Sequence, residues 1–300
     1  MQSESHPFYS FQQVDVFTQT PFKGNPVAVV LAATGLTTAE MQQIAAWTNL
    51  SETTFVLPPT SNQADYQLRI FTPKQELPFA GHPTIGSAHA ILDSGFATAQ
   101  NGQLRQECLA GIISLTVQAT SAGRRILAEA PPAKVTPLTP EALQLLTKAL
   151  GVPFVSAAPP LRVDVGPVWL IADVGDADTV ADLMPDMASL TTLSQITEST
   201  GITVFGQTKI NQADDGSRLH VRSFAPAQGI AEDPVCGSGN VSVAAFLVHS
   251  NLVEPTGTEY IARQGMQMGR DGKIYIQIAD GKIQFGGYAV TCVSGTLRTN

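Results

Sequence analysis

The chain has 300 residues, 43% of them hydrophobic and 14% charged, with 17 Lys and Arg against 25 Asp and Glu, a net charge of -8 and an isoelectric point near 5.0. At about 100 to 200 residues per domain, that length allows two domains or one large one, with enough core to fold without disulfides or structural metals. The acidic balance excludes nucleic acid or an anionic membrane as the main partner, because either calls for a basic face. No apolar run of about 18 residues offers a membrane span. Cys108, Cys236 and Cys292 are far apart and form no CxxC pair, which argues against a zinc ribbon or a dithiol centre. Residues 1–7 lack a basic start leading into an apolar run, so no signal peptide is expected and a reducing, cytoplasmic compartment fits.

In chain order, the first expected strand covers 11–17, with Val14, Val16 and Phe17 setting its pattern. A turn-rich segment of Thr20, Pro21, Lys23, Gly24, Asn25 and Pro26 leads to an apolar strand over 27–32. Thr37 ahead of Glu40 marks a helix start, with Met41, Ile44, Ala45 and Thr48 at helical spacing and an end near Asn49. A β-type run over 53–57 closes on Pro58-Pro59, and another strand covers 66–72. A loop rich in Pro and Gly then leads to a helix over about 83–92, for which Pro83 suits the first position. Cys108 and Cys292 fall in β-like runs that read as core, and Gly286-Gly287 reads as a turn within a strand-like segment over 274–297.

The most informative organisational signal is an internal echo. Arg69-Ile70-Phe71-Thr72-Pro73 recurs as Arg222-Ser223-Phe224-Ala225-Pro226. Ala80-Gly81-His82-Pro83-Thr84 aligns with Cys236-Gly237-Ser238-Gly239-Asn240, and each leads into a small, apolar helix. Earlier, Gly24-Asn25-Pro26-Val27 is echoed by Val165-Gly166-Pro167-Val168. Three matches in the same order indicate a tandem duplication into two similar halves of mixed helix and strand. Their boundary falls within 121–140, where Gly123, Pro131, Pro132, Pro137 and Pro140 cluster.

Each copy of the motif is a strand, an irregular loop, then small residues opening a helix. Free N–H groups and the positive end of the dipole gather at such a start, and Gly81 and Gly237 let a ligand approach the backbone. Two such starts together suit a small carboxylate; two ordinary loop-to-helix turns are the plain alternative. His82 beside Gly81 suits acid/base work, or it is a local cap or a surface histidine. Asp233 either handles a proton or a substrate amine, or caps a turn. Ser238 either bonds an anion or caps the helix. Glu52, between a helix end and a β-type run, reads from its surroundings alone as solvated surface. Cys236 at a helix start is expected to have a lowered pKa, or to be a small buried residue. Because its counterpart is Ala80, a two-thiol racemisation is not expected. His89 reads as packed, while His6, His220 and His249 have no companions that suggest a site.

Other motifs fail. Gly237-Ser238-Gly239-Asn240-Val241-Ser242 is nearly GxGxxG, but the residues before it make a poor strand, so the dinucleotide fingerprint does not hold. No GxxxxGK[ST], HExxH or Gly-x-Ser-x-Gly occurs. His82, Asp233 and Cys236 have no diagnostic metal-ligand spacing.

At these motifs the sequence resembles the PhzF phenazine-biosynthesis family, within the diaminopimelate epimerase superfamily. The resemblance is carried by Val14-Asp15-Val16-Phe17 with Gly24 to Val29, Ser51-Glu52-Thr53-Thr54-Phe55, Phe79 to Gly86, and Glu232 to Gly239. It implies an α+β fold of two similar halves, each a curved mixed sheet around a central helix. On that basis the expected halves are 1–125 and 126–300, with the last strand, about 284–300, packing back onto the first half. It also implies a metal-free, cofactor-free isomerase acting in the cleft between the halves, with homodimers common in the family. By the same resemblance Glu52 moves the proton, which overturns its solvated reading, and His82, Asp233, Gly81 and Ser238 fall on functional positions. Cys236 departs from the phenazine enzyme, which has threonine there.

The expectation is therefore an isomerase that shifts a proton on a small carboxylate-bearing substrate. Glu52 would be general acid/base with a pKa raised by burial, Asp233 and His82 would orient and assist, and Gly81, Gly237, Cys236 and Ser238 would hold the carboxylate. The rivals are a binding protein that kept the site without turnover, and a serine hydrolase using Ser238, His82 and Asp233.

Overall fold

The computed structural model describes residues 8–155, 158–209 and 216–299, so His6 lies outside the described residues. The chain forms two compact units, one running to Ala128 and resuming at Gly286, the other spanning Glu129–Phe285.

The first unit contains β1 (Phe8–Val16), β2 (Asn25–Leu31), α1 (Thr38–Thr48), β3 (Thr53–Leu57), β4 (Tyr66–Phe71), β5 (Glu76–Leu77), α2 (Gly81–Ser94), β6 (Gln103–Cys108), β7 (Gly111–Thr120) and β8 (Gly123–Glu129). The second contains β9 (Lys134–Pro137), α3 (Pro140–Leu150), β10 (Leu161–Asp164), β11 (Val168–Asp176), α4 (Ala177–Asp182), α5 (Met187–Ile196), β12 (Gly201–Gln207) and β13 (Ser217–Ala225). It continues with β14 (Ile230–Asp233), α6 (Gly237–His249), α7 (Val253–Thr256), β15 (Glu259–Gln264) and β16 (Gly272–Ala279), and β17 (Lys282–Gly287) leads from it back into the first unit. The last strand, β18 (Ala289–Arg298), pairs antiparallel with β1 in the first unit.

Strand pairing repeats between the units. β1 with β2 and β10 with β11 are antiparallel hairpins. β2 with β3 and β11 with β12 run parallel. β3 with β4 and β12 with β13 are antiparallel, and β4 runs parallel to β6 as β13 does to β15. The short strands β5 and β14 pair antiparallel with β4 and β13. The fold is thus α+β, a mixed sheet with few helices.

Each sheet has a helix lodged on one face and others on the opposite face. α2 packs on β1, β2, β3, β4 and β18, and α6 on β9, β10, β11, β12 and β16. Both are buried almost all round, which suits helices enclosed by a sheet rather than lying on its surface. Small residues permit the close approach. A Cβ on Gly86 of α2 would lie 2.5 Å from Val27 Cγ1, and one on Gly239 of α6 would lie 2.7 Å from Ser223 Oγ. On the outer face, Met41 and Ala45 of α1 join Phe55 and Phe71 in a core, while α3, α4 and α5 cover β11 and β12. Ala142, Leu146, Ala149 and Leu150 make an apolar stripe on α3, each leucine stabilising by about 1.5–3 kcal/mol on burial.

Local chemistry sets the ends. Thr37 and Glu40 form a capping box on α1, and Asn49 ends it in the left-handed region. Asp15 Oδ2 accepts the Gly24 amide at 3.0 Å, and a Cβ on Gly24 would lie 2.0 Å from the Val16 carbonyl oxygen. The Asp15 and Gly24 motifs are therefore structural, fixing the β1–β2 turn.

Several expectations change. α2 begins at Gly81, two residues before Pro83, which still costs no hydrogen bond because that N–H has no intrahelical acceptor. Gly286-Gly287 is not a turn; the chain reverses at Asp280-Gly281, and Gly286 is required because a Cβ there would meet the Ile126 carbonyl oxygen at 2.0 Å. The segment before Gly237 does include a strand, β14, but it pairs antiparallel with β13, so the dinucleotide-binding arrangement is still absent there. Cys108 and Cys292 are half-buried strand residues rather than core. Among the described residues no helix is long and apolar enough to cross a membrane.

Candidate active site

Alternation along β3 explains why Glu52 is not a surface residue. Phe55 joins the α1 core and Thr53 bonds Thr48 of α1, with 2.6 Å between their hydroxyl oxygens. The intervening positions face the other way, so Thr54 meets Ser87 of α2 at 2.8 Å. Two residues earlier, Glu52 faces the same helix one turn and a half nearer its start, and there its Oε2 lies 3.3 Å from Nε2 of His82. Their side chains are 16% and 10% exposed.

No hydrogen bond reaches Glu52 Oε2 within the described residues. Burial raises the Glu52 pKa above the ordinary carboxylate value, opposed by a hydrogen bond with the Ser51 side chain. A carboxyl group held in this way keeps its proton to higher pH, which suits a group that must give and take protons. His82, read from sequence as a cap or a surface residue, is instead buried in the first turn of α2. Gly81 precedes it as the first helical residue, half-buried, and the amides opening the helix have no intrahelical acceptor.

In the second unit, Cys236 is the N-cap of α6, with Sγ accepting the Gly239 amide at 3.3 Å. Burial, reinforced by the nearby Asp233 carboxylate, pushes its thiol well above the usual value. The lowered pKa expected at a helix start is therefore wrong: desolvation outweighs the dipole. Gly237 follows, buried, as the first residue of α6. Ser238 does not cap the helix; its Oγ accepts from the Trp169 indole Nε1 at 2.9 Å and lies 3.6 Å from Cys236 Sγ. Asp233 is half-buried, and its Oδ1 accepts the Val235 amide at 3.0 Å, forming the turn into the helix.

A network that the sequence did not reveal holds this segment. Buried Gln264 of β15 accepts from the Cys236 amide at 3.2 Å and from Asn240 Nδ2 at 2.8 Å, and its Nε2 donates to the Asp233 carbonyl at 2.9 Å. The first unit has a similar device, since buried Gln106 of β6 donates to Thr84 of α2 at 3.1 Å. Thr84 and Asn240 are aligned in the internal echo, so a buried polar residue in each helix was the available signal.

The other histidines differ from expectation in detail. His89 lies 3.1 Å from Asp93 one turn along α2, and burial lowers its pKa. His220 bonds the Ala177 carbonyl oxygen at 3.1 Å and Gln267 at 3.3 Å, so it has companions, all of them structural. His249 is exposed at the end of α6. Among the described residues no cluster of three His, Cys, Asp or Glu side chains is placed to hold a metal ion.

The chain has relatives among known proteins. The chain is 40% identical to Antisense-enhancing sequence 1 of Schizosaccharomyces pombe, over 96% of this chain and 98% of that protein. It is 33% identical to the trans-2,3-dihydro-3-hydroxyanthranilate isomerase of Pseudomonas fluorescens, over 96% of this chain and 99% of the other. The crystal structure of the Bacillus anthracis phenazine biosynthesis protein of the PhzF family superposes with a TM-score of 0.84 at 26% identity. That superposition covers 98% of this chain and 100% of the other. The PhzC-PhzF family model, described as phenazine biosynthesis-like protein, matches residues 14–295, and the chain belongs to that family as an enzyme of the isomerase or epimerase class.

Proposed function

We propose that the chain is a cofactor-independent isomerase that moves a proton between carbons of a small, carboxylate-bearing substrate. Glu52 is the general acid/base. The observation that carries this is the enclosed Glu52–His82 pair, 3.3 Å apart, in which burial raises the carboxyl pKa. In the reaction a C–H bond breaks at one carbon, its electron pair enters the neighbouring π system, and the proton is returned to another carbon. The atoms are unchanged and the double bond has moved, so no oxidant or co-reactant is required. His82 orients the carboxyl and shares the proton across the short gap.

Gly81, Gly237, Cys236 and Ser238 hold the substrate carboxylate, and Asp233 orients the substrate and assists. The support for these roles is the alignment of the two helix starts in the internal echo. A dihydro-hydroxyanthranilate, the compound in the name of the Pseudomonas relative, is the first substrate to try. Three free cysteines support a reducing, cytoplasmic setting.

The test is deuterium incorporation from solvent into trans-2,3-dihydro-3-hydroxyanthranilate and related cyclic carboxylates, followed by mass spectrometry. The wild-type protein incorporates label, and Glu52→Gln loses it by about 10²–10⁴-fold. Full incorporation by the Gln variant sinks the role given to Glu52.

A further inference from the structure

We infer that Trp169 is a positioning residue that makes Ser238 a dedicated hydrogen-bond donor to the substrate carboxylate. The inference rests on the isomerase function proposed above and assigns a residue that the sequence motifs did not mark. Trp169 lies in β11, next to the first residue of that strand, and is 2% exposed. Its indole Nε1 is a donor with no acceptor capacity, and it points at Ser238 Oγ from 2.9 Å.

That bond decides what the serine can do. Oγ spends one lone pair on the indole, and its single proton is left to be donated elsewhere. Within the described residues the remaining neighbour is Cys236 Sγ at 3.6 Å. Sulfur is a weak acceptor, and this one already takes the Gly239 amide. An incoming carboxylate oxygen is the stronger acceptor and would take the Ser238 proton, with the indole polarising the hydroxyl from behind.

The seat of the indole is built for this. Gly201 of β12 faces Trp169 across the parallel pairing, and a Cβ there would lie 2.8 Å from Trp169 Cζ3 and 2.1 Å from the Phe224 carbonyl oxygen. Glycine at 201 therefore leaves the room that the ring occupies. In the other unit the corresponding strand position is Val27: Phe71 pairs with Thr53 and Thr53 with Ala28, as Phe224 pairs with Ile202 and Ile202 with Leu170, the residue after Trp169. Val27 packs towards α2 but carries no hydrogen-bond donor that could support His82 from behind. The indole device belongs to the second unit alone.

Two tryptophans make the test clean, because Trp47 is 76% exposed and Trp169 is buried. In a Trp47→Phe background the indole ¹H–¹⁵N spectrum reports Trp169 only. The probes are 3-hydroxyanthranilate and its carboxamide, which share a ring and differ in the charged group. The carboxylate is expected to shift the Trp169 indole resonance and the carboxamide to leave it in place. Trp169→Phe keeps an aromatic ring and removes the N–H, and Ser238→Ala removes the hydroxyl. Each is expected to weaken carboxylate binding about tenfold, measured calorimetrically, with the carboxamide unaffected. If Ser238→Ala weakens binding and Trp169→Phe does not, the role of Trp169 is overturned while Ser238 keeps its own. Should Trp169→Phe fail to fold, an indole resonance that ignores the carboxylate overturns the inference by itself. Wild-type protein that neither binds the carboxylate nor exchanges deuterium into any carboxylate overturns the isomerase function, and the inference with it.

Discussion

The starts of α2 and α6 are the same piece of structure decorated in two ways. Both follow a strand, a short antiparallel strand and a non-helical cap, at Ala80 and Cys236. In the first unit the second helical residue is His82, facing the carboxyl group of Glu52 just ahead of β3. In the second it is Ser238, facing an indole. Register aligns Glu52 with Gly201, which carries no side chain and leaves room for the Trp169 ring. Duplication thus supplied two equivalent frames, and a few side chains made one a titratable pair and the other a neutral donor pair. Under the proposed function, proton transfer would fall to the first unit and hydrogen bonding to the second.

The supporting clamps show the same division. Arg69 bonds Glu76 at 2.7 and 2.6 Å and lies over Phe71, while Arg222 bonds Glu232 at 2.9 Å through two nitrogens and lies over Phe224. Each clamp ties the long strand to the short one that leads towards the helix. Arg222 is the more enclosed, 7% exposed against 23% for Arg69, and it also donates to the carbonyls of Val180 and Leu183.

The largest expected effect in breaking this comparison is on proton transfer. His82→Asn keeps a polar group at the helix start but removes the imidazole, and it is expected to lower deuterium exchange by about 10²-fold, where Ser238→Ala weakens binding instead. Equal effects of both variants on exchange at saturating substrate would erase the division of labour. Next come the clamps. Arg222→Met leaves Glu232 buried without its partner and is expected to cost about 3–5 kcal/mol in urea unfolding. Arg69→Met, at a wetter site, is expected to cost about 1 kcal/mol. Equal losses would show that the second helix start is held no more tightly than the first.

A smaller effect separates the units by pH. Because burial raises the Glu52 pKa in the folded state, the folded protein holds this proton more tightly than the unfolded chain. Its contribution to stability is complete below the unfolded value of 4.5 and is lost as pH rises through the folded value. Glu52→Gln removes that dependence. The melting temperature of the variant should therefore gain on the wild type as pH is raised from 4 to 8, whereas Ser238→Ala should follow the wild type throughout. A constant offset between Glu52→Gln and wild type would show that Glu52 is not held in the desolvated state.

How much of this was legible beforehand follows from the physics of each residue. The duplication and the two helix starts were readable because glycines and small residues are needed wherever an enclosed helix meets a sheet, as at Gly86 and Gly239. Glu52 was misread from its surroundings because a glutamate after a helix usually meets water. The alternation of Thr53, Thr54 and Phe55 held the information, but only with the helix of each face known. Trp169 and Gln264 carried no sequence signal, since their partners lie 69 and 31 positions away in bonds that pairing alone brings together. Cys236 was misjudged because the dipole of a helix start is visible in sequence and the degree of burial is not.

That misjudgement sets the smallest expected effect. A thiol that is buried, beside a carboxylate, and pushed up in pKa is poorly suited to give or take a proton at neutral pH. What the side chain visibly does is cap α6 through the Gly239 amide. Threonine caps helices well through its oxygen, and it is close to cysteine in size. Cys236→Thr should therefore keep deuterium exchange within about threefold of wild type and leave stability within about 1 kcal/mol. The converse exchange is equally telling. Ala80→Cys restores a second thiol at the equivalent position, yet it should bring no new racemisation of amino acids, because Cys236 remains a protonated cap. Loss of exchange in Cys236→Thr would put the thiol back into the chemistry. It would also make the two helix starts partners in proton transfer rather than one carrier and one holder.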